Sequence, residues 1–136
     1  MRTWIAMVVA LVAGGCVSPV DVAVRDYLAV AETIQLGQSV DEVLQILEPT
    51  QSALSAEKRK QSDRHIRDGE EVFIYYARSR RQVDGLTTDD EFMPYVFVNG
   101  MLKAIGWITL GGPKPQGQTT PETHVHVHGT YRTRYW

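Results

Sequence analysis

The chain has 136 residues, 43% of them hydrophobic, a single cysteine, and 14 Lys and Arg against 16 Asp and Glu, for a formal net charge of −2. That length suits one domain with a modest core, and the charge balance lacks the clustered basic surplus that marks a nucleic-acid-binding protein. One cysteine permits no intramolecular disulfide, so the stability of the body must come from packing.

The first stretch carries one positive charge at Arg2, an apolar run from Trp4 to Val12, and then Ala13-Gly14-Gly15-Cys16. Small residues behind a short apolar core are the layout of a secretory signal peptide. Small residues running straight into a lone cysteine also resemble the lipobox of bacterial lipoproteins, although Ala13 stands where that motif usually has Leu. The expectation is a lipoprotein signal over residues 1–15, cleavage before Cys16, and a diacylglycerol on the Cys16 thiol. Taking 15 residues from 136 leaves 121, with 13 basic and 16 acidic side chains. A retained membrane anchor is the second choice: residues 3–20 are uncharged and reach the lower limit for a span, but Gly14, Gly15, Ser18 and Pro19 fall in its second half. A cleaved signal that leaves a free thiol is the third.

Ser18-Pro19-Val20-Asp21 reads as a helix start, with a Ser cap, Pro at the first helical position and an acid near the positive end of the dipole. Val24, Tyr27, Leu28, Ala31 and Ile34 recur at three- and four-residue steps and predict a helix to about Gln35 with one face on a core. Gly37 closes it. Ser39 and Glu42 have capping-box spacing, Val40, Val43, Leu44 and Leu47 form the apolar stripe of a second helix, and Pro49 is expected to end it. Residues 50–67, with the run Glu57-Lys58-Arg59-Lys60, read as an exposed connection; the run has the charge to meet anionic headgroups, but at this length it is read as a solvated face.

Strands follow. Asp68-Gly69 is a two-residue turn signal between a short edge strand, His65-Ile66-Arg67, and a longer one through Val72 to Arg78. Residues 80–93 read as an acidic loop, which lacks the acid spacing and glycine position of a calcium-binding EF-hand. Asn99-Gly100 between Tyr95-Val96-Phe97-Val98 and Met101-Leu102-Lys103-Ala104-Ile105 is the strongest hairpin signal, because both turn residues tolerate positive φ. A two-residue loop pairs Val98 with Met101, Phe97 with Leu102, Val96 with Lys103 and Tyr95 with Ala104. One face then carries Tyr95, Phe97, Leu102, Ala104, Gly106 and Ile108, fit to receive two helices. The other carries Val96, Val98, Met101, Lys103, Ile105 and Trp107, too apolar for an ordinary solvated surface. Either the C-terminal segment or a second strand layer covers that second face, or it docks a protein partner, with Trp107 as aromatic anchor and Lys103 on the rim.

Residues 111–136 change to Gly, Pro, Gln and Thr and then to Thr123-His124-Val125-His126-Val127-His128. An extended chain puts His124, His126 and His128 on one side, neighbours about 6.5 Å apart, near enough to share a zinc or copper ion if another ligand such as His65 joins them. The alternative is an exposed or edge strand with solvated imidazoles.

Gly37-Gln38-Ser39, Val43, Leu47 and Pro49, then Tyr75-Tyr76, then residues 95–107 resemble the small outer-membrane lipoproteins called SmpA/OmlA, or BamE-like. Gln38 stands where that family has Met, Glu48 where it has Gly, and Pro49 comes one residue early. The resemblance covers about residues 28–107. It implies two helices packed on one face of a three-stranded antiparallel sheet; the fold class expected for this chain is α+β, two N-terminal helices on one face of a three- to four-stranded antiparallel sheet, with a flexible or edge-strand tail. It also implies a lipid anchor at Cys16 in the outer membrane, facing the periplasm, in keeping with Val17 after the cysteine, and a non-catalytic role in outer-membrane maintenance or β-barrel assembly. The expected organisation is a signal over 1–15, an α+β domain over 16–110 and a tail over 111–136. The expected partners are a membrane, reached through the lipid, and an envelope protein, with no nucleic acid. No Gly-x-Ser-x-Gly elbow, His-Glu-x-x-His or phosphate loop points to an enzyme. The competing function is periplasmic metal binding by the three histidines.

Overall fold

A computed structural model describes residues 15–84 and 86–113. Helix α1, Pro19–Val30, begins as its sequence dictates: the Ser18 hydroxyl accepts from the Val20 amide at 3.3 Å and Pro19 occupies the first turn. A 3₁₀ turn, Ala31–Thr33, tightens its end and delivers Ile34 to the core. The buried stripe is Val20, Ala23, Tyr27 and Ile34, with Ala31 half-buried; Leu28, expected on it, is 63% exposed. Val20 and Ala23 instead pack with Leu54, which draws the start of α1 against the segment after the second helix.

Helix α2, Val40–Gln51, opens on the expected capping box. The Glu42 amide donates to the Ser39 hydroxyl, and the Glu42 carboxylate accepts from the Ser39 amide at 2.8 Å. Those contacts hold the Glu42 carboxyl below its ordinary value. Pro49 does not end this helix. It lies inside the last turn and the helix runs on to Gln51, because the buried Thr50 and Gln51 gain partners there. Thr50 donates to the Leu47 carbonyl at 2.6 Å, and the Gln51 side chain accepts from the Arg78 amide at 2.7 Å.

Four strands, β1 Asp63–Arg67, β2 Glu70–Arg78, β3 Phe92–Val98 and β4 Met101–Ile105, form one antiparallel sheet in sequence order. Both tight turns are built as expected: Asp68 and Gly69 have φ of 49° and 83°, Asn99 and Gly100 49° and 80°. Asn99 also ties the two turns into one end, its amide donating to the Glu71 carbonyl at 2.8 Å and its side-chain oxygen accepting from the Glu71 amide at 3.1 Å. Pro94 sits in β3 without disrupting the ladder. In a strand the N and C=O of one residue point to the same side, and the Pro94 carbonyl accepts from Gly106, just beyond the end of β4.

The helices cover one sheet face. Tyr27, Ile34, Val43 and Leu47 meet Tyr75, Ala77, Tyr95, Phe97 and Leu102 in the main core. Tyr27 and Tyr95 join their hydroxyls there at 3.0 Å, which satisfies two buried polar tips with one hydrogen bond. The connection between the helices also closes part of the sheet's edge. Gly37 donates to the Leu102 carbonyl, Leu102 to the Gln38 carbonyl and Val40 to the Gly100 carbonyl, at 2.8, 2.8 and 3.0 Å. The α+β architecture expected from the sequence is the one found, with four strands.

Candidate anchor point and docking surface

The sheet's second face is where the sequence-derived register breaks. Val98 pairs with Met101 and Phe97 with Leu102, as expected, but Val96 then pairs with Ala104 and Tyr95 with Ile105. Lys103 is the extra residue of a β-bulge, and one inserted residue exchanges the faces of everything after it. Ala104 therefore packs with Val72, Ile74, Val96 and Val98 on the second face, while Ile105 pairs opposite Tyr95.

Gly106 completes the departure. Its φ of 103° is open to glycine and strained for any L-residue, so the strand stops and the chain turns into a 3₁₀ helix, Trp107–Leu110. Ile108, expected on the core-facing side, is 95% exposed as a result. Trp107 is half-buried; its indole N–H donates to the Phe92 carbonyl at 2.8 Å and its ring stacks on Tyr76 with centroids 5.7 Å apart. Leu110 lies against the Val72, Ile74, Val96 and Val98 cluster.

Of the six residues named for partner contact, Val96 and Val98 are thus buried and Trp107 is largely engaged within the chain. Met101, Lys103 and Ile105 are exposed along β4. Met101, opposite Val98, faces the second side and Ile105, opposite Tyr95, the helix side, so the six do not present one continuous surface.

Cys16 is exposed, and only Val17 stands between it and the Ser18 cap of α1. The end of β2 and the start of β3 lie nearby, because Arg81, just past β2, pairs with Asp21 of α1 at 2.6 Å. The acidic connection from residue 79 to residue 91 is exposed over much of its length but is anchored to the core by a buried ion pair. Glu91 is fully buried and pairs with the buried Arg78 at 2.7 Å. Its two carboxylate oxygens also accept from the Gln82 and Thr88 amides, at 2.9 and 2.8 Å. Arg78 in turn donates to the Lys58 carbonyl at 2.9 Å, and Lys60 pairs with Asp89 at 2.8 Å, fastening residues 58–60 to the same loop.

Sequence reasoning missed this buried pair. A signal was present in Thr88-Asp89-Asp90-Glu91, whose Ser/Thr-x-x-Glu spacing marks a capping box, and Thr88 and Glu91 form one around the 3₁₀ turn Asp89–Glu91.

His124, His126 and His128 lie outside the described residues. His65 sits exposed on β1, with its nearest carboxylate, Asp63, at 3.8 Å. Among the described residues no three His, Cys, Asp or Glu side chains gather closely enough to hold a metal ion, and no helix is long and apolar enough to cross a membrane. No protein-family model, no curated protein and no solved structure matches the chain.

Proposed function

We propose that this chain is a cell-envelope lipoprotein, cut before Cys16 and acylated there, that holds a small non-catalytic module on the periplasmic face of the outer membrane and works by contact with another envelope protein. One observation carries the reading: the sole cysteine is solvent-accessible and stands three residues ahead of the first helix, behind an apolar run that ends in small residues. An acyl chain at that position would leave the fold undisturbed.

Two helices on one face of an antiparallel sheet is the layout the resemblance to the BamE-like lipoproteins leads one to expect, with one strand more than its three, and this layout supports a role in outer-membrane maintenance or β-barrel assembly. A fold hosts many functions, so the partner must be argued from surface chemistry. Met101 and Ile105, 44% and 41% exposed on opposite faces of the edge strand β4 with Lys103 between them, are the side chains a partner meeting that edge would touch.

Membranes from the native host, followed by mass measurement of the mature N-terminus, test the anchor. A lipid-modified Cys16 at the first position is expected, and Cys16→Ser should move the protein to the soluble fraction. A chain that begins at Met1, or that carries an unmodified thiol and washes free, overturns the proposal. In the same membranes an amine-reactive cross-linker should trap a partner through Lys103, and Lys103→Ala should remove that adduct.

A further inference from the structure

We infer that Val83 and Leu86 make a second contact with the bilayer, entering its interface beside the acyl chains; the inference rests on the lipid-anchor reading above. Val83 is wholly exposed, at 101%, and Leu86 is 47% exposed. Both follow β2 on the connection whose Arg81 grips Asp21 of α1 at 2.6 Å. Asp21 is five residues from Cys16, a separation of at most about 18 Å even for a fully extended chain, and Val83 is two residues, at most about 7 Å, from Arg81. Through the Asp21–Arg81 ion pair these short separations put Val83 and the Cys16 anchor at the same end of the molecule, with Leu86 three residues further along the chain.

Their presentation is not left to chance. Glu91 is buried and accepts from the Gln82 and Thr88 amides on either side of the pair, and the Asp84 carboxylate accepts from the Leu86 amide at 3.0 Å. The connection is pinned at its base while Val83 stands clear of it. Four acids at this end are engaged internally, Asp21 with Arg81, Asp89 with Lys60, Glu91 with Arg78, and Asp90 with Thr88 and Gln82, while Asp84 is exposed between the two apolar side chains. Arg80 and Lys58 remain exposed at the same end, where they can meet headgroup phosphates.

The size of the patch selects the occupant. Two isolated aliphatic side chains are far below the roughly 1,000 Å² that a specific protein interface requires. They suit a lipid interface, which needs no shape complementarity and for which the acyl anchor already supplies the main affinity.

The test uses the full-length lipidated chain in phosphatidylcholine–phosphatidylethanolamine vesicles, with an environment-sensitive fluorophore on Val83→Cys, Leu86→Cys or, as control, Ile66→Cys. Ile66 is 70% exposed on β1, opposite Glu71, seven residues or roughly 23 Å along β2 from Arg78. Labels at 83 and 86 should shift to shorter wavelength and be quenched several-fold more by spin-labelled lipid than the label at 66. Equal, water-like emission at all three positions in a vesicle-bound protein overturns the inference while leaving the anchor intact. Mass measurement of the N-terminus reports the anchor separately. If Cys16 proves unmodified, the labelled chain carrying Cys16→Ser is added to preformed vesicles, where quenching at 83 and 86 alone supports the contact and its absence overturns it.

Discussion

At the scale of single residues, the costliest position to change is Glu91. A carboxylate at 0% exposure is tolerable only because Arg78 and two backbone amides replace its water. Removing one partner of such a pair leaves an uncompensated buried charge, so Glu91→Ala should destabilise the fold by about 3–5 kcal/mol. Chemical denaturation measures that loss. The double change Arg78→Met with Glu91→Leu should lose much less, because no charge is then left buried, and a loss as large as that of Glu91→Ala would show that backbone anchoring rather than charge matters. Amide exchange should localise the effect: Gln82 and Thr88 should lose protection in both variants, since both lose the acceptor.

Elements are where sequence patterns served best and where their failures have a clear cause. The capping box of α2 was visible as Ser39 and Glu42, and Ser39→Ala should cost about 1 kcal/mol in denaturant-measured stability. The two hairpins were legible from Asp68-Gly69 and Asn99-Gly100, because the positive φ that such turns demand restricts which residues can build them. Lys103 was not legible as a bulge. Alternation carries no mark of an inserted residue when the neighbours, Ala104 and Ile105, are acceptable on either face, and so the faces of both were exchanged. Pro49 misled for a related reason: a local stop signal yielded to the tertiary hydrogen bonds of Thr50 and Gln51. The six residues of the candidate surface do not share one face, in part because half of them depended on that register, and because the turn at Gly106 takes Trp107 out of the strand.

Across the whole molecule, buried tyrosines set the response to alkali. Burial raises the Tyr27, Tyr75, Tyr76 and Tyr95 hydroxyls above their ordinary value of 10.0, with the Tyr27 hydroxyl raising Tyr95 further. A folded-state value above the unfolded one means that the unfolded chain gives up its protons first as pH rises. Their contribution to stability is therefore complete below about pH 10 and declines above it. The melting temperature should fall steeply between about pH 10 and 11.5, with tyrosinate absorbance rising in the same step as unfolding. Titration of these four hydroxyls ahead of any loss of structure would show that they are open to solvent. Tyr27→Phe should soften the alkaline step, since it removes a hydroxyl shared with Tyr95.

The spacing of Cys16 and Ser18 bears on what such a module can meet. A single residue, Val17, is too short a leash for the body to swing, so a chain fastened at Cys16 would ride at a constant height with the Asp68-Gly69 and Asn99-Gly100 tips pointing away from the bilayer. Its neighbours would be selected by altitude as much as by chemistry. A protein embedded in the same leaflet could graze its flank, and one drifting through the aqueous space would have to settle onto the lipid before the two could touch.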